Sequence, residues 1–165
     1  MLKSILKKVT TKALRSSLRE VACESRITFR HRKGLWRSRQ YQSQIDLRLH
    51  LGCGAKLKAG WVNIDVNKRA DLTLDLRKAL LPFSSESCAI VYCEDFLEHV
   101  DYPEPTMSLS KEVYRILKPG GIFSIGVPDT EWPLRAFFNA SHASSFQFAK
   151  DKWHASWCTT KNGAY

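Results

Sequence analysis

Gly52, Cys53, Gly54 and Asp65 are the residues whose types and spacing most directly suggest chemistry. A glycine-x-glycine turn lets backbone approach a ligand that side chains would hold away. Asp65 closes the next short apolar run, Trp61-Val62-Asn63-Ile64, and a carboxylate at a strand tip accepts hydrogen bonds from ribose hydroxyls. Turn and acid in this order are how open α/β sheets hold a nucleoside. Most Gly-x-Gly pairs are plain turns, so the weight falls on the elements that would have to position these groups.

Those elements read as an alternation of strands and helices. Leu47, Leu49 and Leu51 alternate with Arg48 and His50, predicting a strand over about Asp46–Leu51 with one buried face. A second strand is expected over Trp61–Ile64, a third, of period two, over Leu72–Leu76, and a fourth over the continuous apolar run Ala89–Cys93, as suits a central parallel strand. A helix is predicted from about Thr106 to Leu117, with Leu109, Val113, Ile116 and Leu117 on one face and Met107 nearby. Lys118-Pro119-Gly120-Gly121 supplies basic charge, a helix breaker and glycines to stop it. A fifth strand, Ile122–Val127, ends before Pro128. This order predicts an α/β fold with a doubly wound, mostly parallel sheet. Only six residues separate Gly54 from Trp61, whereas a parallel crossover normally takes a dozen or more, so the first crossover helix should shrink to about one turn.

The chain has 165 residues, 44% of them hydrophobic, enough for one domain with a sizeable core. Its five cysteines (Cys23, Cys53, Cys88, Cys93, Cys158) are odd in number and contain no CxxC pair. That argues against a disulfide framework or a zinc site, and for a reducing, cytoplasmic setting. No run of 18 apolar residues exists to span a membrane, and the start lacks the apolar core and cleavage site of a secretory signal.

The net charge of +10 belongs wholly to residues 1–40, which hold 12 Lys/Arg against Glu20 and Glu24. Leu2, Ile5, Leu6 and Val9 form one helical stripe there and Leu14, Leu18, Val21 and Ala22 another, offset around the axis with Thr10-Thr11 between them. A bent or broken helix, or two short ones, is expected. Residues 25–44 show no clean period and read as a linker, with Phe29, Trp36 and Tyr41 as docking anchors or as platforms for stacked bases. The domain reading is a basic helical arm and linker over 1–44 and a folded body over 45–165. The arm is open to four readings: a solvated helix packed on the body, a contact with an anionic membrane surface, a hold on nucleic acid, or an organelle transit peptide.

Leu49–Gly54, Gly60–Asp65, Asp71–Leu76, Leu81-Pro82-Phe83, Tyr92–Val100 and Glu112–Asp129 resemble the S-adenosylmethionine-dependent methyltransferases with the Rossmann-like fold. The resemblance is closest to a small bacterial type associated with polysaccharide or glycoside modification, and covers about residues 46–130. Its most specific phrase is Tyr114-Arg115-Ile116-Leu117-Lys118-Pro119-Gly120-Gly121, followed by Phe96-Leu97-Glu98-His99-Val100. It implies S-adenosylmethionine as cofactor, with Gly52, Cys53 and Gly54 against the methionine half. Asp65 would take the ribose hydroxyls, Val66 would lie beside the adenine, and Asp75 and Leu76 would border it, the carboxylate receiving the exocyclic amine. Glu94 would sit at the mouth where donor and acceptor meet. Asp75 as a turn acid and His99 as a packing or capping side chain are the plainer alternatives.

The sequence departs from the family pattern at His50, where an acid is usual, and at Lys56, where a third glycine is usual. The family also continues with two further strands that residues 131–165 do not supply. A C-terminally truncated body is therefore expected, with self-association through the edge of strand five.

Methyl transfer from a sulfonium is an in-line displacement, so a protein mainly positions and desolvates. A general base is needed only for a poorly acidic acceptor such as a sugar hydroxyl. Glu94, His99, Asp129 and Glu131 are the candidates near the strand carboxyl ends, where such sheets bind ligands. No metal is called for. The function expected is methyl transfer to a glycan or small hydroxylated metabolite, in the cytoplasm or peripheral to a membrane. The alternative is a non-catalytic cofactor-fold fragment whose arm binds nucleic acid or an anionic membrane, or else an RNA methyltransferase.

Overall fold

The computed structural model describes residues 11–138, which fall into two compact units divided between Val127 and Pro128. The first unit is built on a five-stranded, wholly parallel sheet: β1 (Leu47–Leu51), β2 (Val62–Asp65), β3 (Leu72–Thr73), β4 (Cys88–Glu94) and β5 (Leu117–Gly126), in the order β3-β2-β1-β4-β5. The chain runs outward from β1 to β3 and then returns to the other side of β1. That reversal puts a topological switch point between β1 and β4, beyond whose carboxyl ends such sheets bind ligands. The expected Rossmann-like α/β architecture is the one observed.

One face of the sheet carries the core. Leu49 and Leu51 of β1, Ile64 of β2, and Val91 and Cys93 of β4 pack with Leu109, Val113 and Ile116. The last three lie along one side of α2 (Glu104–Ile116), spaced i, i+4, i+7. Arg115 fastens this helix to the segment before β4: it donates to Leu81 O at 2.8 Å and to Phe83 O at 2.9 Å, and pairs with Glu112, whose other bond is from Leu81 N.

β5 begins five residues earlier than expected. Leu117 already pairs with Cys88, and a register shift between Cys88 and Ile90 absorbs Lys118–Gly121. Gly120 has φ +74°, and a Cβ on Gly121 would lie 2.9 Å from Lys118 O. Pro119-Gly120-Gly121 is thus a bulge within the strand rather than a gap between helix and strand. β3 is shorter than expected, because Asp75 turns the chain into a 3₁₀ helix, Leu76–Lys78, by accepting from Arg77 N at 3.2 Å.

The largest correction concerns residues 25–37, expected as linker. They are the second half of α1, one helix running over Lys12–Arg37 from an N-cap at Thr11, whose side chain accepts from Leu14 N at 3.2 Å. The helix docks along edge strand β3 and the residues after it through Ile27, His31 and Gly34, spaced as one helical face. A Cβ on Gly34 would meet Thr73 O at 2.3 Å, Thr73 Oγ1 donates to Arg30 O at 3.0 Å, and Asp75 N donates to His31 Nδ1 at 3.1 Å. Two of those three docking positions carry no apolar side chain, which hides the period from a hydrophobicity count. Of the three aromatic residues expected as anchors, Tyr41 packs near Phe83, with ring centroids 6.3 Å apart, while Phe29 and Trp36 are exposed. The stripe Leu2–Val9 lies outside the described residues.

In the second unit the described part is α3 (Glu131–Phe138) and its lead-in. Asp129 caps it by accepting from Glu131 N at 2.9 Å, and Arg135 pairs with Glu131. The aromatic residues beyond Phe138 lie outside the described residues. Among the described residues, no helix is long and apolar enough to cross a membrane, and no group of His, Cys, Asp and Glu could hold a metal ion. Cys23, Cys53, Cys88 and Cys93 are free thiols.

Candidate functional site

The turn after β1 requires both its glycines, for different reasons. Gly52 has φ +65°, and Phe96 lies over it so closely that a Cβ would come 2.4 Å from the ring. Gly54 has φ +52° and faces open space, with nothing within 4 Å of a Cβ. Between them Cys53 is buried, its N–H donating to Ile64 O at 3.2 Å. Burial, reinforced by Asp65 and Asp71, pushes its thiol up to about 11, which leaves it protonated and a poor nucleophile.

Asp65, at the tip of β2, ties this turn to the neighbouring strand. Its Oδ2 accepts from Gly54 N at 2.8 Å and its Oδ1 from Asn67 N at 2.7 Å. Each carboxylate oxygen has two acceptor positions, so each keeps one for a ligand hydroxyl.

No helical turn replaces the missing first crossover helix; the loop between β1 and β2 is held by side chains instead. Asn63 Oδ1 accepts from Lys58 N at 2.8 Å, while its amide donates to Lys58 O at 3.1 Å and to Asp71 Oδ2 at 2.8 Å. His50 stands opposite Asn63 in the β1–β2 register and contacts its Oδ1 at 3.3 Å, edge-on to Tyr92. Burial holds His50 below its ordinary pKa and so favours the neutral ring. The residue standing where the family's acid is usual therefore braces the loop.

Beside Asp65 opens a cavity of about 250 Å³. Its apolar walls are Ile27, Val66, Leu74, Leu76 and Phe96, and its polar groups are Asp65, Asp75, Arg77 and His99. Asp65, Val66, Asp75, Leu76 and His99, singled out in the sequence, thus share one chamber, and Gly54 adjoins it through its bond to Asp65. Asp75 is nearly buried, and Arg77 engages both of its oxygens, Nε at 2.9 Å on one and Nη2 at 3.0 Å on the other. Burial by itself would raise the Asp75 carboxyl, but these bonds and the positive charge outweigh it and hold the group below the usual range. Arg77 also pairs with Glu24 of α1 at 3.1 Å. Glu94, at the end of β4, is exposed and accepts from Tyr92 O–H at 2.7 Å, a bond that raises the phenol's pKa. Asp129 and Glu131 stand in the second unit, as cap and ion pair of α3.

Besides Leu74, placed in the sequence only as a strand residue, four residues of this region carry no role in the sequence reading: Phe96, Arg77, Glu24 and Ile27. Phe96 lies inside a recognisable phrase, and Arg77 follows Asp75 at the spacing of a capped turn, so a local signal existed for each. For Glu24 and Ile27 there was none, because their approach to the cavity depends on α1 docking on β3.

A cavity with aliphatic and aromatic walls and two carboxylates, beside a glycine turn, has the chemistry to take a nucleoside, its base against the apolar walls and its hydroxyl or amine donors toward the acids. Residues 63–125 match the family model of a methyltransferase domain. The match includes Asp65, Asp75, Glu94 and His99 and begins after the Gly52–Gly54 turn. A comparison with curated proteins finds no match.

Proposed function

We propose, from the premise that this chain carries an S-adenosylmethionine-dependent methyltransferase domain, that it methylates a hydroxyl of a glycan or small metabolite. Bound S-adenosylmethionine supplies an electrophilic methyl group and a good leaving group. The tasks left to the chain are binding, alignment and handling of the acceptor's proton. In this reading Asp65 receives the ribose hydroxyls, and Val66, Leu76 and Phe96 enclose the adenine. Asp75, held by Arg77, borders the base at its amine edge. Gly52, Cys53 and Gly54 run along the methionine half, where the open side of Gly54 leaves room for close approach.

Glu94 is assigned as the group that accepts the acceptor hydroxyl's proton. It is exposed at a strand carboxyl end, and Tyr92 steadies it. A sugar hydroxyl is weakly acidic, so a positioned carboxylate contributes to its deprotonation, whereas a more acidic acceptor would not need one. The observation that carries the reading is the pairing of Asp65 with Gly54 at the rim of the nucleoside-sized cavity.

Calorimetric titration with S-adenosylhomocysteine, the demethylated product, tests it. Asp65→Ala removes hydrogen bonds of roughly 1–3 kcal/mol and should weaken binding by about one to two orders of magnitude. Unchanged affinity in the folded variant would overturn the site assignment. Transfer of labelled methyl to a panel of hydroxylated acceptors, lost in Glu94→Gln with product affinity intact, tests the acceptor class; transfer only to nitrogen or carbon acceptors would refute it.

A further inference from the structure

We propose that the outward face of α1 docks this protein on an anionic lipid surface. The helix has two faces with different tasks. Ile27, His31 and Gly34 turn inward to β3 and the cavity, and Glu24 reaches Arg77 on that side. On the outward side Leu14, Leu18, Val21, Phe29 and Trp36 fall within about a quarter of the helix circumference, at about 100° per residue. Their exposures are 49%, 51%, 64%, 71% and 67%. An apolar stripe of this length on water is not needed for the fold, since the other face does the docking. Only Ser25 and Arg32 interrupt it, and an arginine can lay its aliphatic stem along apolar surface while its charge stays in water.

One border of the stripe is basic. Arg15, Arg19, Arg26, Lys33 and Arg37 follow one another along one edge, and both acids of the helix, Glu20 and Glu24, lie toward the opposite side. Residues 1–40 carry the whole net charge of +10. Over 26 residues the surface extends for about 39 Å at 1.5 Å per residue. Leucine, phenylalanine and tryptophan beside a row of arginines is the composition of a helix lying in the boundary between headgroups and acyl chains, with the cations meeting anionic headgroups. A nucleic acid would use the arginines but leave the aliphatic stripe wet, so the lipid surface accounts for both halves of the pattern. The inference stands apart from the proposed acceptor, because none of the five stripe residues lines the cavity.

Co-sedimentation of the full chain with phosphatidylcholine vesicles, with and without phosphatidylserine, tests it. Binding should require the anionic lipid and weaken with salt. The double variant Leu18→Ser/Phe29→Ser should weaken it by about tenfold or more with the melting temperature unchanged, because both side chains are exposed. Arg19→Gln/Arg26→Gln should weaken it too. Polyuridylate RNA serves as the competing probe. The proposal is overturned if anionic vesicles are not bound at low salt, if the serine variant binds them like wild type, or if RNA is bound and vesicles are not. It is also overturned if the stripe is consumed by a dimer that the serine variant dissociates while lipid is ignored.

Discussion

Asp65 holds Gly54: the carboxylate at the tip of β2 accepts the N–H of the turn beyond β1 at 2.8 Å. Its second oxygen accepts from Asn67 N, so one side chain sets the spacing of two strand ends. Asp65→Ala should therefore cost stability as well as ligand affinity, roughly 1–3 kcal/mol for the backbone donors left unpaired. Urea denaturation without ligand measures this. Stability equal to wild type would mean that the carboxylate does not organise the turn.

Alanine at the two turn glycines should act unequally. Gly54→Ala meets only its positive φ, a cost of about 1–2 kcal/mol. Gly52→Ala meets a positive φ and the Phe96 ring, and should lower the melting temperature further. Adding Phe96→Ala to Gly52→Ala should recover part of the difference. Equal melting of the two glycine variants would show that Phe96 is not seated over Gly52.

His31 should make stability fall on mild acidification. Its Nδ1 accepts from Asp75 N, so the ring is bound in its neutral form. Burial first, then Lys78, lowers its pKa, against a smaller opposing effect of Asp75. Its contribution is complete above the unfolded value of about 6.5 and declines as pH falls from there through the folded pKa. Unfolding free energy measured between neutral and mildly acidic pH should show this slope, and His31→Gln should flatten it. A slope unaltered by the substitution would assign the effect elsewhere.

At lower pH Asp75 takes over. Its burial opposes ionisation, but Arg77 outweighs that and depresses its pKa. Its contribution is full above the unfolded value of about 3.9 and is lost as pH falls through the lower folded value. Asp75→Asn should shrink the acid limb of the stability profile. Glu24→Gln, whose ion pair with Arg77 is largely exposed, should change it little. A larger effect at Glu24 than at Asp75 would reverse this ranking.

Thiol reagents should discriminate sharply among the described cysteines. Cys23 is exposed on α1. Burial pushes Cys53 up to about 11 and, with Glu98, Cys93 up to about 12, and it raises Cys88 as well. Peptide mapping after brief alkylation at neutral pH should find Cys23 modified and the other three intact until the protein is unfolded. Early modification of Cys53 would mean that the turn opens in solution.

Much of the fold was legible because it follows local periods. Leu47, Leu49 and Leu51 alternate, Leu109, Val113 and Ile116 recur at helical spacing, and all six point into one core. The acids Asp65 and Asp75 were readable as strand-tip or turn residues from their neighbours alone. What tertiary structure decided is wherever a contact spans the chain. The half of α1 read as linker became helix through His31 and Gly34, whose burial depends on β3 and the turn after it lying beside them. Arg77 links two acids, one two residues away and one 53 residues away, and only the nearer could be guessed. His50 braces Asn63 because parallel register sets them side by side. Phe96 covers Gly52 because β1 and β4 are neighbours at the switch point. Periodicity reports which face of an element is apolar; it carries no information on which polar group, glycine or ring stands opposite, because strand order and register set that after the apolar faces have met.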